Sequence, residues 1–404
     1  MKKIQGGICA AKGYKANGIH CGIRKNKSKR DLSLVVSEVR AAAAAVYTTN
    51  LVKGAPILVN QQHLKDGYAQ AIICNSGIAN TCNANGVEMA EEMSSLVEKA
   101  MGIKSDDVIV ASTGVIGQPL DVTPIANGMD ELVSGLSCDN GGLAAEGIMT
   151  TDTRKKEIAV SFEIDGVECR IGGIAKGSGM IHPNMATMLV FVTSDVAISS
   201  EMLQRAVSED VKTSFNMISV DGDTSTNDTF AVLANGMAGN KLIDSEGEAF
   251  DAFCEALHTV SVALSREIAG DGEGATKLLE CQVTGGKTDE IAKTVAKSVI
   301  CSSLTKAAMF GADANWGRVL CAIGYSGADV DVNKIDVSFD SSKGVIAVCK
   351  NGAGVEFSEE KAKEILLEGE IHILVDLNDG EFSATAWGCD LTYEYVKING
   401  DYRT

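Results

Sequence analysis

The stretch of this sequence best equipped for covalent chemistry is Lys176-Gly177-Ser178-Gly179-Met180-Ile181-His182-Pro183-Asn184-Met185-Ala186-Thr187-Met188-Leu189. A glycine-rich turn runs into a junction of small residues, and the apolar run at 188–192 that follows reads as a buried strand. Thr187 therefore falls where loop becomes strand. A threonine in an apolar strand is ordinarily a β-former. Here it has a small Ala186 on its acyl side, and a second pair, Thr113-Gly114, stands at the end of the apolar run 108–111. Glycine at that point lets the backbone approach a ligand with its N–H directed outward. A hydroxyl nucleophile and donors for an oxyanion are what acyl transfer requires.

Other motifs are weaker. The loop 177–179 and the alternating glycines of 270–277 could cradle a phosphate, but neither fits Gly-x-x-x-x-Gly-Lys-[Ser/Thr] or Gly-x-Gly-x-x-Gly. The 12 cysteines are scattered from Cys9 to Cys389 without a Cys-x-x-Cys pair, which predicts buried, reduced thiols and no metal site. With 5 histidines and no visible triad, the chain needs another source of base.

Composition bounds the partners. A net charge of −18 repels phosphate backbones and anionic membranes, so a small molecule is the expected ligand and nucleic acid is not. The amino terminus lacks the apolar core of a signal peptide, and no run approaches the ~18 apolar residues of a membrane helix, so a cytoplasmic protein is expected. At 404 residues and 45% hydrophobic content, two or three domains with a large core are expected.

The elements that must position these residues alternate between helix and strand. Residues 32–36 and 71–74 read as strands, 75–80 as a polar loop, and 86–101 as an amphipathic helix on the spacing of Ala90, Met93, Val97, Ala100 and Met101. Ile158, Val160, Phe162 and Ile164 alternate, Asp165-Gly166 turns, and Val167, Cys169 and Ile171 resume the alternation: a hairpin that leads straight into the Lys176 loop. A long helix carrying Phe250, Phe253, Leu257, Val260, Leu264 and Ile268 stops at Gly270, and a strand with Leu279, Cys281 and Val283 on one face follows. A helix near 290–302, strands near 331–339 and 345–349, and a short helix at 358–367 complete a mixed α/β (α+β) pattern.

The 176–189 string resembles the processing signature of the ornithine acetyltransferase family, the glutamate N-acetyltransferases of arginine biosynthesis. Further blocks agree along nearly the whole chain: Tyr47-Thr48-Thr49-Asn50, Ser112-Thr113-Gly114-Val115-Ile116-Gly117, Ile148-Met149-Thr150-Thr151-Asp152-Thr153, Ser219-Val220-Asp221-Gly222-Asp223-Thr224-Ser225-Thr226-Asn227-Asp228, Asp271-Gly272-Glu273-Gly274-Ala275-Thr276-Lys277 and Gly311-Ala312-Asp313-Ala314-Asn315-Trp316-Gly317-Arg318. Ile78 and Ala314 depart from the family pattern, where Asn and Pro are expected. The resemblance implies two α/β domains cut by the protein itself between Ala186 and Thr187 into interlocked chains, 1–186 and 187–404, that pair as a heterotetramer. It implies Thr187 as nucleophile, Thr113 and Gly114 as oxyanion hole, and Thr153, Lys176, Glu273, Asn399 and Thr404 around the substrate, with Thr150 a further neighbour. Acetyl would pass from N-acetylornithine to glutamate through an acetyl-Thr187 ester, without a cofactor, with acetyl-CoA a second possible donor.

Physical chemistry supports these roles. The amine freed at Thr187 has a reference pKa of about 7.7–8.0 and can take the proton from its own hydroxyl. Lys176 suits a substrate carboxylate and Glu273 an ammonium. The alternatives are a self-cleaved amidohydrolase or aminopeptidase with water as acceptor, and an uncleaved, non-enzymatic amino-acid binding protein.

Overall fold

The computed structural model describes residues 1–182 and 188–401, and among these sixteen strands form two sheets. The larger sheet contains β1 (Lys2–Ile4), β2 (Tyr14–Ile19), β3 (Leu32–Tyr47), β4 (Tyr68–Ile78), β5 (Val108–Val115), β6 (Lys156–Ile164), β7 (Val167–Lys176) and β8 (Leu189–Ser194). The smaller sheet adds β9 (Ile218–Ser219), the larger takes β10 (Thr229–Ala234), and the smaller is completed by β11 (Leu278–Gly286), β12 (Asp336–Ser341), β13 (Gly344–Lys350), β14 (Ala353–Gly354), β15 (Glu370–Asp376) and β16 (Phe382–Cys389). The larger runs β1-β6-β7-β8-β10-β3-β4-β5, with β2 also paired to β3; the smaller runs β14-β13-β12-β15-β11-β16-β9.

The hairpin forms where the alternation places it. Asp165 (φ 50°) and Gly166 (φ 79°) both adopt the left-handed backbone of a two-residue primed turn, and β6 and β7 pair in register from Ile164↔Val167 to Lys156↔Ala175. The helix Glu248–Gly270 packs its apolar face against β6 and β7 and also reaches β11 and β16, joining the sheets. Its buried Phe253, Leu257, Val260 and Leu264 share one core with Val190 and Val192 of β8 and with Leu279 and Cys281 of β11. The helices Gly86–Met101 and Asp289–Cys301 also occur close to where the sequence pattern puts them.

Three expectations change. Residues 75–78 are not loop: β4 runs through Ile78, parallel to β5, because the buried polar side chains find partners. Ser112 Oγ donates to Asn75 Oδ1 (2.6 Å), Asn75 Nδ2 to the Ile78 carbonyl (3.0 Å) and Ser76 Oγ to the Gly147 carbonyl (2.7 Å). Thr113-Gly114 accordingly lies inside β5, which ends at Val115. The strand expected from 331 begins at Asp336, after a single turn of 3-10 helix at Val332–Lys334. All twelve cysteines are free, but Cys82, Cys138 and Cys321 are exposed rather than buried. No helix among the described residues is long and apolar enough to cross a membrane.

The site of the expected cut separates neighbours within one sheet. β8 and β10 come after residue 187 yet sit between β7 and β3, which come before it. Chains of 1–186 and 187–404 are therefore expected to co-elute on native size-exclusion chromatography and to separate only in denaturant; separation under native conditions would contradict this packing.

Candidate active site

A cavity of about 310 Å³ opens where the end of β5, the end of β7 and the starts of β8 and β10 meet. Thr113, Gly114, Lys176, Glu273 and Asn399, drawn from four distant stretches of sequence, all line it. Ala186, Thr187 and Thr404 lie outside the described residues, but Met188, bonded to Thr187, forms part of the wall. Thr153 does not line the cavity: it is exposed, and its N–H and hydroxyl both donate to Asp271. Thr150 and Thr151 line it instead.

The position of Thr113-Gly114 is set by close strand packing. Gly114 (φ 131°) lies beside Gly77 in the parallel β4/β5 ladder, and a Cβ there would sit 2.2 Å from the Gly77 carbonyl carbon. Only glycine fits. Buried Asn227 ties this strand end to the start of β10: its amide donates to the carbonyls of Ala79 (2.6 Å) and Ser112 (3.0 Å), and the Thr81 and Thr226 hydroxyls donate back to it (2.6 Å each).

The Lys176 loop is held by a buried charge network. Lys156 Nζ sits 2.6 Å from both Asp152 and Asp271, with all three side chains essentially inaccessible. Asp152 also accepts the Gly177 N–H (2.7 Å) and the Thr150 N–H (2.9 Å). The Asp271 backbone carbonyl accepts the Ser178 hydroxyl (2.7 Å), and the Glu273 N–H donates to the Ser178 carbonyl (2.9 Å). Three loops that carry cavity residues thus converge on one ammonium. Asn399, on the helix Tyr393–Gly400, donates to Glu273 Oε2 at 2.7 Å.

Burial opposes ionisation of Asp152, but the Lys156 and Lys176 ammoniums outweigh it and hold the carboxyl well below the usual range. Lys176 is pushed down from its ordinary value by burial, against the pull of Asp152. Asp228, which also lines the cavity, is pushed well above its ordinary value by burial, and its Oδ2 has no hydrogen-bond partner. Sequence reasoning assigned no role to Lys156, Asp152, Asp271, Asn227 or Asp228. Lys156 did leave a signal: it shares strand parity with Ile158, Val160 and Phe162, so a cation stands on the inward face.

Elsewhere, ligand atoms of Glu280, Glu370 and His372 lie within 4.8 Å of one another. Arg266 pairs with both carboxylates, and Asp340 meets the other ring nitrogen of His372, so this cluster is already balanced by protein charges.

Comparison with known proteins agrees with the family resemblance. The ArgJ family model matches residues 15–404. The chain is 50% identical over 405 residues to the "Arginine biosynthesis bifunctional protein ArgJ" of Caldanaerobacter subterraneus subsp. tengcongensis, covering 100% of both chains. It is 50% identical over 392 residues to "Arginine biosynthesis bifunctional protein ArgJ 1" of Clostridium acetobutylicum, covering 97% of this chain and 96% of that one. Among solved structures, the crystal structure of the arginine biosynthesis bifunctional protein argJ from Bacillus halodurans superimposes with a TM-score of 0.51 at 46% identity, covering 54% of this chain and 100% of the other.

Replacing Lys156 by Met would leave two buried carboxylates without their cation. The expected cost is about 3–5 kcal/mol at neutral pH, measured by urea unfolding. The difference from wild type should shrink as the pH falls below about 4, since the depressed Asp152 contributes stability only while it is ionised.

Proposed function

The chain belongs to the ArgJ family and is an ornithine acetyltransferase of arginine biosynthesis, and we propose that it moves acetyl from N-acetylornithine to glutamate on Thr187, freed by self-cleavage after Ala186. The observation that carries this reading is the single cavity that gathers Thr113, Gly114, Lys176, Glu273 and Asn399 against the neighbour of Thr187. The Bacillus halodurans structure adds support: it is matched over all of its length yet spans 54% of this chain, the same share as residues 187–404.

In the proposed cycle the Thr187 hydroxyl attacks the acetyl carbonyl while the α-amine of the same residue takes its proton. The tetrahedral oxyanion is met by the Thr113 hydroxyl and the Gly114 N–H, which the β4/β5 packing orients before substrate arrives. Ornithine leaves, and the amine of glutamate attacks the acetyl ester in the reverse sense, a ping-pong sequence. Lys176 receives a substrate carboxylate; because burial disfavours its charge, an anion beside it restores the ammonium and is bound more firmly for doing so. Glu273, aligned by Asn399, receives the ammonium. Thr404 is a further substrate contact in this reading, Thr150 and Thr151 take the wall position expected of Thr153, no cofactor is required, and acetyl-CoA serves as a second donor. The fragments assemble as two of each in the cytoplasm.

Thr187→Ala is expected to give a single full-length mass and no transfer, whereas wild type gives fragments ending at Ala186 and beginning at Thr187. A cut, active variant would refute the nucleophile. Thr113→Val should lower kcat about 10²–10³-fold. Acetate release from N-acetylornithine that is equally fast with and without glutamate would indicate an amidohydrolase instead. Glutamate with acetyl-CoA alone should yield N-acetylglutamate, and no product would remove the second donor.

A further inference from the structure

A second cavity, of about 430 Å³, adjoins the first. The two share Gly114, Thr150 and Thr151, and beyond these the second is lined by the loop that joins β2 to β3. Within this loop Arg24, Lys25, Lys27, Lys29 and Arg30 crowd cations into residues 24–30 of a chain whose net charge is −18.

Hydrogen bonds give the loop a defined shape. The buried Asp31 carboxylate accepts the backbone N–H groups of Cys21 (2.6 Å), Gly22 (3.2 Å) and Arg24 (2.9 Å), and Asn26 Oδ1 accepts the N–H (3.0 Å) and the hydroxyl (2.7 Å) of Ser28. Arg24 Nη2 donates to the Met149 carbonyl at 2.5 Å, which ties the loop to the segment bearing Thr150 and Thr151. The loop also lies directly on β4: a Cβ at Gly77 (φ 109°) would come within 2.9 Å of Arg24 Cγ, and Gly77 pairs with Gly114 in the β4/β5 ladder. The basic loop is therefore fixed in place relative to Gly114.

The walls of this cavity are of two kinds. Half-buried Ile23 and Ile78 supply apolar surface, and exposed Lys25 and Lys29 supply charge. Arg30 is paired with Glu146, whereas neither Lys25 nor Lys29 makes an ion pair with any described residue. Apolar walls that end in two uncommitted ammoniums fit a long ligand with an uncharged arm and phosphate groups at its far end.

We propose that the second cavity is the donor subsite for an acetyl thioester on a phosphorylated carrier, the class to which acetyl-CoA belongs. The uncharged arm lies between Ile23 and Ile78, its acetyl group reaches the shared wall at Gly114, and Lys25 and Lys29 meet the phosphates. This rests on the reading, given above, that acetyl is transferred beside Gly114. N-acetylornithine has no phosphate and is placed by Lys176 and Glu273, so the two donors share the acetyl position and differ in where the carrier lies. With the thioester, the oxygen of the nucleophile bonds to the acetyl carbon, the carbon–sulfur bond breaks, and the hydroxyl proton leaves with the sulfur as a free thiol.

The test compares wild type with Lys25→Gln, Lys29→Gln and the double variant, using glutamate as acceptor and each donor in turn. Each single change should raise KM for acetyl-CoA about threefold and the double change about tenfold. KM for N-acetylornithine, and for S-acetylpantetheine, which has the arm without phosphates, should stay within about twofold of wild type. Acetyl phosphate, which has a phosphate and no arm, should not serve as donor. Calorimetry with CoA alone reads the subsite without turnover: the double variant should bind about tenfold more weakly, and added salt should weaken wild type more than the variant. Unchanged acetyl-CoA KM and CoA affinity in the double variant, an equal rise in KM for S-acetylpantetheine, or efficient turnover of acetyl phosphate overturns the proposal. A wild-type protein that transfers from N-acetylornithine but neither uses acetyl-CoA nor binds CoA overturns it alone; one that binds CoA through these lysines yet transfers from neither donor overturns the acetyltransferase reading and leaves the subsite standing.

Discussion

The site depends on one buried interaction, the Lys156 ammonium between Asp152 and Asp271. An ion pair this deep is a poor source of net stability, because desolvating three charges offsets most of their attraction. Its value is geometric. Asp152 anchors the loop that presents Thr150 and the turn that begins at Gly177, while Asp271 sits at the mouth of the long helix next to Glu273 and holds Thr153. Any other arrangement of these loops would strand a buried charge, so the loops have one low-energy arrangement.

The same network shapes the electrostatics of the cavity. Lys176 shares Asp152 with Lys156, and its own burial disfavours the ammonium, so the free site holds a cation that is under-compensated. Asp228 is buried with one oxygen unpartnered, the costly state that structures retain where a group is used. Within an acidic protein of net charge −18, a cavity with a cation on one wall and Glu273 on another suits a zwitterionic amino acid better than a simple cation or anion.

Sheet topology explains how a chain could lose a peptide bond at its active site and keep its shape. β8 hydrogen-bonds to β7 on one side and to β10 on the other, and β10 continues to β3. Each half of the chain contributes strands that the other half must flank, and the core of the long helix, β8 and β11 is continuous across both sheets. The described segments on either side of residues 183–187 each hydrogen-bond to residues 219–229.

Much of this was legible along the chain. Alternation over 158–171 and the Asp165-Gly166 turn specified the hairpin, and three- and four-residue spacing specified the helices Gly86–Met101 and Glu248–Gly270, because periodicity and local turn chemistry are properties of neighbours in sequence. The family resemblance, not periodicity, singled out Lys176, Glu273 and Asn399, which the fold gathers with Thr113 and Gly114 around one cavity. What sequence could not determine was which polar residues are buried and what satisfies them. Asn75 and Ser76 read as loop and fold as strand, since their partners, Ser112 and the Gly147 carbonyl, come from elsewhere in the chain. Thr153 was expected at the substrate and is turned to Asp271 instead, leaving Thr150 and Thr151 on the cavity wall. Only the tertiary structure decided these points, because the free energy of a buried polar group depends on partners brought together across 37 to 118 residues of sequence, which no local pattern records.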